Sequence, residues 1–520
     1  MWLHDILDYQ AREHPDADFA IHGAHRLTYG EALAQTHCLV SALMVSNLQV
    51  GDRIAILSKN CLEYLLLYFA ASKAGVVLVP LNYRLTPAEW CDILNDAQVR
   101  LLVAAEDYID QLNTLRSQFQ TVKQYITLGD ATLEDWQNYS VWVANQSTTF
   151  QNLNLPDNQP VYQIYTSGTT GAPKGVVVTH RAVIAHLFQV GFTLRIYPGE
   201  RSLMVVPAFV AGCPNMILFP SVYGGGCLYL QTEFKASEVM RALREEQIAV
   251  ATLLPAMIQA CLEAVPDTSA HRYEALRLIH YGSSPLAERT LRQAITMFLC
   301  DFVQSYGMTE ATTTLTFLSA DDHQRALREQ PTLLRSVGRP TIGTEVRIIN
   351  AKGQEVSTGT SGEIIARGPQ LMQGYWNLPD VSARTLQDGW LHTGDAGTSD
   401  EAGYLYVKGR LREMIMSGAG MISPRDAEEV LYQHPAVAEA AVIPVPDQRL
   451  GEVAKAIVVL HQGITATEEE LIDFCQKHLD KLECPQTVDF VAALPRNSTG
   501  KILKLQLQEL YSTRFGSVTN

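Results

Sequence analysis

The stretch YTSGTTGAPKG, Tyr165–Gly175, follows the apolar run VYQI and precedes VVVTHRAVIAHLF. Its three glycines permit close backbone approach, its hydroxyl side chains donate hydrogen bonds, and Lys174 adds a mobile positive charge. We predict a loop between regular elements that binds phosphate oxygens. A flexible surface turn stays open as the alternative. Because Pro173 precedes the lysine and Gly175 follows it, the spacing argues against a Walker P-loop.

Apolar runs alternate with helical patterns in the first part of the chain. RIAIL (Arg53–Leu57) and VVLVP (Val76–Pro80) are typical of buried strands, and the helix-like CLEYLLLYFAASKAG lies between them. Such alternation predicts parallel α/β layers. We therefore assign the chain to the α/β class, with a large multi-layer domain of sheets and helices at residues 1–410.

A small α+β domain is predicted over residues 411–520, because a fresh set of elements follows GYLYVKGR. Pro424 is placed at a helix start, and AEAAVIPV is typical of a strand. Thr467 is predicted to cap a second helix, with Glu470 reaching back to it. The helix then places one apolar face towards a core: Leu471, Phe474, Cys475 and Leu479.

Composition restricts the class of partner. The 520 residues are 47% hydrophobic and 18% charged, with a formal net charge of -15, which argues against broad binding to nucleic acid or anionic membranes and favours a small molecule. The nine cysteines form no Cys-x-x-Cys pair and are odd in number, which predicts a reducing cytoplasm. The amino terminus lacks the residue order of a cleaved leader.

The segment Ser202–Thr232 contains no charged residue. Three prolines and the run of three glycines at 224–226 interrupt it too often for a helix that spans a membrane. We predict no transmembrane segment here and a buried strand-and-loop structure instead. The same segment could line an apolar substrate pocket.

Six motifs together resemble the adenylate-forming superfamily, which includes acyl-CoA and aryl-CoA synthetases, adenylation domains of peptide synthetases and luciferases. Their order is the expected one, they span nearly the whole chain, and the resemblance is closest to acyl-CoA synthetases. The motifs are Tyr165–Gly175, YGMTE (306–310), GEIIARG (362–368), GWLHTGD (389–395), GRLREMI (409–415) and PRNSTGK (495–501).

The resemblance implies an ATP-dependent acid–thiol ligase. A carboxylic acid and ATP give acyl-AMP and pyrophosphate, and CoA then takes the acyl group, as in the metabolism of fatty or aryl acids. The large domain is expected to carry the nucleotide and acyl sites. The small domain is expected to close over them and to rotate between the two half-reactions.

The resemblance implies ATP-binding residues in these motifs and in HYGSSPL (280–286), which matches the family's small-residue strand end next to adenine. Tyr306 offers an aromatic face to adenine, Asp395 accepts from the ribose hydroxyls, and Thr309 contacts the α-phosphate. Taken alone, Tyr306 would fit core packing and Asp395 would fit a turn. The expected ATP-binding set is Thr166, Ser167, Gly168, Thr169, Thr170, Lys174, Gly282, Ser283, Ser284, Tyr306, Gly307, Met308, Thr309, Asp395, Arg410 and Lys501.

Catalysis is expected to depend on cations, because a carboxylate and a phosphate about 4 Å apart repel by roughly 4 kcal/mol at an effective dielectric near 20. The resemblance implies that Lys501 acts at the reacting centre and that Lys174 binds the β- and γ-phosphates. Thr166 and Glu310 are the expected magnesium ligands, and a carboxylate with a hydroxyl suits a hard cation. Lys501, Glu310 and Lys174 form the predicted catalytic set.

The thiol and acyl sites depart from the usual pattern. The hinge falls on Arg412, where relatives commonly carry aspartate or lysine. The thiol tunnel falls on Gly418, Ala419 and Gly420, followed by Met421, where two adjacent glycines and an asparagine are usual. The segment PAFVAGC lacks the histidine that many relatives carry, which favours an apolar acid. The candidate acyl pocket consists of Phe209, Val210, Tyr223, Gly282 and Gly307.

Three alternatives stay open. The nearest is an enzyme that loads its acid onto the phosphopantetheine of an acyl carrier protein. The unusual residues of the predicted thiol tunnel are compatible with this alternative. The others are an oxidative enzyme of the luciferase kind and a nucleotide-responsive binding protein. The sequence decides neither the acid nor the oligomeric state.

Overall fold

The computed structural model describes residues 1–129, 134–144, 146–147, 153–166, 173–264, 273–417, 420–447, 449–496 and 502–515. The chain begins with alternating helices and strands that build one sheet and part of a second. These elements are α1 (Asp5–Glu13), β1 (Asp18–His22), β2 (His25–Thr28), α2 (Tyr29–Val45), β3 (Arg53–Leu57), α3 (Leu62–Ala74), β4 (Val77–Pro80), α4 (Pro87–Asp96), β5 (Val99–Ala105), α5 (Glu106–Leu115), β6 (Gln124–Leu128), β7 (Gln137–Asn138), α6 (Tyr139–Val143), β8 (Pro160–Thr166), β9 (Lys174–Thr179) and α7 (His180–Leu194).

The middle of the chain completes both sheets and adds a third. Its elements are β10 (Arg201–Met204), α8 (Phe219–Tyr223), β11 (Cys227–Leu230), α9 (Ala236–Glu245), β12 (Ile248–Thr252), α10 (Pro255–Ala264), β13 (Leu278–Gly282), α11 (Glu288–Phe298), β14 (Asp301–Tyr306), β15 (Thr316–Leu318), α12 (Ala320–Arg328), β16 (Arg339–Pro340), β17 (Glu345–Ile349), β18 (Gly362–Arg367), β19 (Gly374–Tyr375), α13 (Pro379–Thr385), β20 (Leu386–Gln387), β21 (Trp390–Ser399) and β22 (Leu405–Arg410).

The last part of the chain forms a sheet of its own with three helices. The elements are β23 (Ile415–Ser417), β24 (Gly420–Ile422), α14 (Pro424–Leu431), β25 (Val437–Asp447), β26 (Gly451–Leu460), α15 (Glu468–Gln476), β27 (Thr487–Phe490) and α16 (Lys504–Phe515). A large α/β domain and a smaller α+β domain therefore make up the described chain, as the sequence predicts.

Two large sheets of the first domain share one core, to which helices α2, α3 and α7 also contribute. The nine-stranded sheet has the order β16-β15-β14-β13-β12-β10-β11-β1-β2 and the eight-stranded sheet the order β19-β9-β8-β4-β3-β5-β6-β7. The predicted strands β3 and β4 pair in parallel. Ile54 and Ile56 face the core shared with the nine-stranded sheet, whereas Ala55 and Leu57 face a second core. Burial on both faces explains why RIAIL is apolar almost throughout.

The uncharged segment 202–232 is only partly as predicted. It is largely buried, and β10 and β11 bound it, but helical turns replace much of the expected loop: a π-helix at Pro214–Leu218 followed by α8. Pro214 and Pro220 stand in the first turns of these helices, where a missing N–H costs little. Among the helices of the described residues, none has the length and apolarity that crossing a bilayer requires.

The small domain folds around its own two cores. Along β25, Ala440 and Val442 face the core that α14 and α15 cover, whereas Ala441 and Ile443 face the core that α16 covers. The predicted capping box is present, because the Thr467 hydroxyl accepts from the Glu470 amide and the Glu470 carboxylate accepts from the Thr467 amide.

Replacement of the capping residue tests how far the core beneath α14 and α15 depends on α15. We expect Thr467→Ala to destabilise the small domain by about 1 kcal/mol, because it removes the partner of an amide at the helix start. Since all six tryptophans precede residue 411, fluorescence would miss the change, and hydrogen exchange of residues 468–476 is the measurement. Thr465→Ala, in the exposed loop before the helix, is the control. Equal exchange in both variants would contradict the assignment.

Candidate active site

The carboxyl ends of two neighbouring strands of the nine-stranded sheet form the base of the site. Strands β13 and β14 run in parallel, and Gly282 pairs with Ser305 at their ends. A Cβ atom at Gly282 would lie 2.6 Å from the carbonyl oxygen of Ser305, so the position accommodates only glycine without a shift. Beyond it, Ser283 has a φ of 72°, and Ser283 and Ser284 are exposed. The predicted nucleotide neighbours therefore lie at an open strand end.

The motif YGMTE continues β14 into a closed turn. Thr309 opens a short 3₁₀ turn, the amide of Thr313 donates to the carbonyl oxygen of Met308, and Leu315 donates to that of Tyr306. A Cβ atom at Gly307 would lie only 2.2 Å from the carbonyl oxygen of Thr313. Glycine is therefore required for the turn to pack against the strand end.

A hydrogen-bonded triad joins this strand end to the third sheet. The Tyr306 hydroxyl donates to Asp395 Oδ2 at 2.7 Å, and Arg410 Nε lies 3.1 Å from Asp395 Oδ1. Arg410 also donates to the carbonyl oxygen of Thr393 at 2.9 Å. Asp395 and Arg410 are opposite each other in the antiparallel pair β21 and β22. Three predicted ATP-binding residues, distant in sequence, thus share one cluster.

A second cluster contains two predicted catalytic residues. Glu310 is buried, and its Oε1 accepts from the Tyr375 hydroxyl at 2.6 Å. The ammonium nitrogen of Lys174 lies 5.3 Å from the centre of the Tyr375 ring, within range of a cation–π contact. Strand β19, which carries Tyr375, pairs with β9, which starts at Lys174. Tyr375 therefore links Lys174 to Glu310.

Electrostatics connect the two clusters. Burial raises the pKa of Tyr306 well above its usual range, and the Asp395 carboxylate raises it further. Burial and then Glu310 raise the pKa of Tyr375 in the same way. The Arg410 guanidinium opposes both shifts. Both tyrosines consequently stay protonated donors at neutral pH, and one cation acts on both.

The phosphate loop is described only at its ends. Thr166 ends β8 directly opposite Lys174 in the antiparallel hairpin of β8 and β9. A Cβ atom at Gly175 would lie 2.5 Å from Gln163 Nε2 and 2.9 Å from the Tyr165 ring, which shows how closely the strands approach. The predicted residues Ser167, Gly168, Thr169 and Thr170 lie outside the described residues.

Part of the small-domain prediction also lies outside the described residues, namely Lys501, Gly418 and Ala419. Gly420 opens β24. Arg496 and Ile502, which flank the segment that includes Lys501, form an antiparallel bridge. At the predicted hinge, the Arg412 guanidinium lies 3.8 Å from Glu413, and burial lowers the pKa of Arg412.

The candidate acyl residues are divided between the interior and the surface. Phe209 is buried, and its ring meets that of Tyr83 edge to face at 5.3 Å. Val210 packs against the main core. Tyr223, by contrast, is 40% exposed and packs edge to face on Phe188 of α7. Tyr223 is therefore at the surface and Phe209 is not, and the role of all three residues in the acyl pocket stays a prediction.

The donor set around Glu310 is sparse. In the described part of the chain, no group of three or more histidine, cysteine, aspartate or glutamate side chains could hold a metal ion. Mg²⁺ is usually bound through one or two carboxylates together with substrate phosphates. A single buried carboxylate fits a cation that arrives with a nucleotide better than one held by the protein alone.

Sequence reasoning missed Tyr375. It lies in the run QGYW, 373–376, between two recognised motifs, and nothing in its spacing indicates a partner. Tyr375 reaches Glu310 because β19 extends the edge of the eight-stranded sheet beyond β9. Tyr375 and Glu310 are 65 positions apart in the sequence. Tyr375 belongs to the eight-stranded sheet, whereas Glu310 lies in the turn after a strand of the nine-stranded sheet.

Comparisons with known proteins identify relatives of the chain over nearly its full length. Residues 7–376 match the family model of the AMP-binding enzymes, and residues 426–501 match that of their C-terminal domain. The chain is 33% identical over 511 residues to a feruloyl-CoA synthase of Amycolatopsis sp, which covers 98% of each chain. It is 32% identical over 508 residues to the fatty acid–[acyl-carrier-protein] ligase ScoC of Streptomyces coeruleorubidus, covering 97% of this chain and 95% of that one. The structure of ATP-bound MatB from Rhodopseudomonas palustris matches with a TM-score of 0.88 and 26% identity, covering 99% of this chain and 100% of that one.

Removal of one hydroxyl tests the link between Tyr375 and Glu310. We expect Tyr375→Phe to lower the free energy of unfolding by about 1.5 to 3 kcal/mol, because a buried carboxylate loses its donor. ATP with Mg²⁺ should then stabilise the variant more than the wild type, since the cation supplies a new partner to Glu310. Denaturant unfolding followed by tryptophan fluorescence measures both effects.

Tyr406→Phe is the matched control for this experiment. It removes a hydroxyl that donates to Asp400 at 3.1 Å, outside both clusters. We expect lower stability and an unchanged response to ATP. The same nucleotide response in Tyr375→Phe, Tyr406→Phe and wild type would contradict a role of Glu310 near the nucleotide.

Proposed function

The chain belongs to the AMP-binding enzyme family and is an adenylate-forming ligase, and we propose that it joins a carboxylic acid to the thiol of CoA. In the first step, a carboxylate oxygen attacks the α-phosphorus of ATP, an acyl-phosphate bond forms, and pyrophosphate leaves. In the second step, the thiolate sulfur attacks the acyl carbon and AMP leaves. The paired clusters around Asp395 and Glu310 carry this proposal.

The first cluster suits the nucleoside end of ATP. The Asp395 carboxylate accepts from the Tyr306 hydroxyl and pairs with Arg410, and an ionised carboxylate is a natural acceptor for ribose hydroxyls. Tyr306 holds this carboxylate in place through its hydroxyl, and its ring packs against two small apolar clusters. Arg410 supplies positive charge next to both. We assign adenosine to this cluster.

The second cluster suits the phosphates. Lys174, at the end of the phosphate loop, is a point charge that reaches β- and γ-oxygens and the departing pyrophosphate. Glu310 and Thr166 would hold Mg²⁺, which neutralises phosphate charge when it is bound. Tyr375 occupies one oxygen of Glu310 and leaves the other for the cation. The two clusters meet along one stretch, 306–310, so the α-phosphate belongs between them, near Thr309.

The small domain is proposed to deliver Lys501. We place the boundary between residues 410 and 411, with Arg412 as the hinge. In support, β22 ends at Arg410 and the sheet of the small domain begins at Ile415. Lys408 lies 3.2 Å from Asp426 of α14, and the Ser423 hydroxyl donates to the Lys408 carbonyl oxygen at 2.8 Å. These polar contacts can be exchanged at little cost when a domain rotates.

CoA is the proposed acceptor, and a carrier-protein phosphopantetheine is the second candidate. The feruloyl-CoA synthase among the relatives supports the first, whereas the acyl-carrier-protein ligase among them supports the second. The buried Phe209 and the adjacent Val210 support an apolar acid, aliphatic or aromatic. We propose the cytoplasm as the compartment, because all nine cysteines are free thiols.

A pyrophosphate-release screen tests the proposed reaction. We expect release of pyrophosphate from ATP that depends on one class among aliphatic, aryl and amino acids. Addition of CoA should then produce AMP and a thioester. AMP release with a phosphopantetheine-loaded carrier protein but not with CoA would assign the second acceptor. Failure of every acid to release pyrophosphate would contradict the ligase assignment.

Replacement of Lys501 tests the delivery of a cation by the small domain. We expect Lys501→Ala to slow adenylate formation by about 100- to 1,000-fold, because a donor aimed at developing charge contributes about 3 to 4 kcal/mol. ATP binding, measured by calorimetry, should change little. Lys477→Ala, an exposed lysine in the same domain, is the control. Normal pyrophosphate exchange in Lys501→Ala would refute the role.

A further inference from the structure

Asn215 lies in the π-helix Pro214–Leu218 and is only 1% exposed. Its Oδ1 accepts from the Tyr162 hydroxyl at 2.9 Å. Its Nδ2 donates to the carbonyl oxygen of Ala211 at 2.9 Å and to the Thr313 hydroxyl oxygen at 3.3 Å. A primary amide has two N–H donors, so both are used here. The side chain is thus fixed by three partners in the interior.

These three partners belong to the three segments that adenylation has to align. Tyr162 lies in β8, four residues before Thr166 at the phosphate loop. Ala211 follows the candidate acyl residues Phe209 and Val210. Thr313 lies in the turn that follows Thr309 and Glu310. One side chain therefore contacts the supports of the phosphate, acyl and α-phosphate positions.

The turn that carries Thr313 depends on its surroundings. Thr312 has a φ of 48° and Thr313 a φ of 99°, in the region that β-branched residues rarely adopt. Such conformations persist where neighbouring contacts hold them. The Thr312 hydroxyl donates to the Gln370 carbonyl oxygen at 2.7 Å on one side, and Asn215 contacts Thr313 on the other.

The π-helix explains how Asn215 reaches the turn. The amide of Phe219 donates to the carbonyl oxygen of Pro214, five residues earlier, which widens this helical segment. Two consecutive side chains then face the turn, because the Thr314 hydroxyl also donates to the sulfur of Met216 at 3.4 Å. The acyl segment is therefore in direct contact, over two successive residues, with the turn that follows the motif YGMTE.

We propose that Asn215 is a positioning residue, which holds the acyl segment in register with the YGMTE turn and the phosphate-loop strand so that the acid meets the α-phosphate in line. This role rests on the proposed function. Adenylation is sensitive to such alignment, since displacement of a reacting group by about 1 Å can cost 100-fold in rate. Nucleotide binding at Tyr306, Asp395 and Arg410 does not involve Asn215.

Variants at Thr313 and Asn215, made in the full-length protein, test whether these residues align the acyl segment with the α-phosphate position. We expect Asn215→Ala and Thr313→Val to lower kcat of acid-dependent pyrophosphate release by about 10- to 100-fold. The Kd for ATP should stay within about twofold of wild type, because its contacts are intact. Thr313→Ser keeps the hydroxyl and should keep the wild-type kcat. The double variant Asn215→Ala with Thr313→Val should lose no more than either single one.

A stability control separates alignment from loss of folded protein. Ser46→Ala removes a buried hydroxyl that contacts Ala42 and Trp142, in α2 and α6, which carry no candidate site residue. We expect lower stability and an unchanged kcat. Variants of Asn215 with wild-type kcat per folded molecule, or Thr313→Ser as slow as Thr313→Val, would overturn the positioning role alone. A wild-type protein without any acid-dependent pyrophosphate release would overturn the proposed function and this inference together.

Discussion

The carboxylate of Asp395 joins the ends of two sheets that share no strand. It accepts from the Tyr306 hydroxyl, which ends a strand of the nine-stranded sheet, and pairs with Arg410 of its own sheet. A buried carboxylate without these partners would be costly, so the two sheet ends are held at a fixed distance. The stretch 306–310 that follows Tyr306 is thereby fixed in place, and with it Glu310 and the contact to Tyr375.

The candidate site for a polyanion is assembled from separate segments. Cations in an empty site repel one another, and carboxylates placed among them reduce that repulsion. Here Lys174 and Arg410 belong to different sheets, and Glu310 and Asp395 lie between them with two tyrosine hydroxyls as donors. Close approach at Gly282 and Gly307 lets backbone oxygens pack where side chains would separate the strands.

Much of the fold and part of the site could be predicted from sequence. Short, continuous apolar runs predicted β3 and β4, and the cap at Thr467 follows a local rule that needs no tertiary information. The π-helix was missed, since nothing in its residue pattern indicates the hydrogen bond from the Phe219 amide to the Pro214 carbonyl oxygen. Tyr375 and Asn215 were missed for the same reason: their partners lie far away along the chain, and neither residue type indicates a role by itself.

The sequence by itself determined which residue types carry the chemistry and in what order, because loops, caps and strand patterns are short-range properties. The tertiary structure decided which of these residues meet. It placed Lys174 next to the Tyr375 ring and the Tyr375 hydroxyl next to Glu310. It also placed Asn215 in contact with three separate segments. Those contacts arise from sheet edges and helix faces that meet only after the core has formed, so long-range packing, and not local preference, determines them.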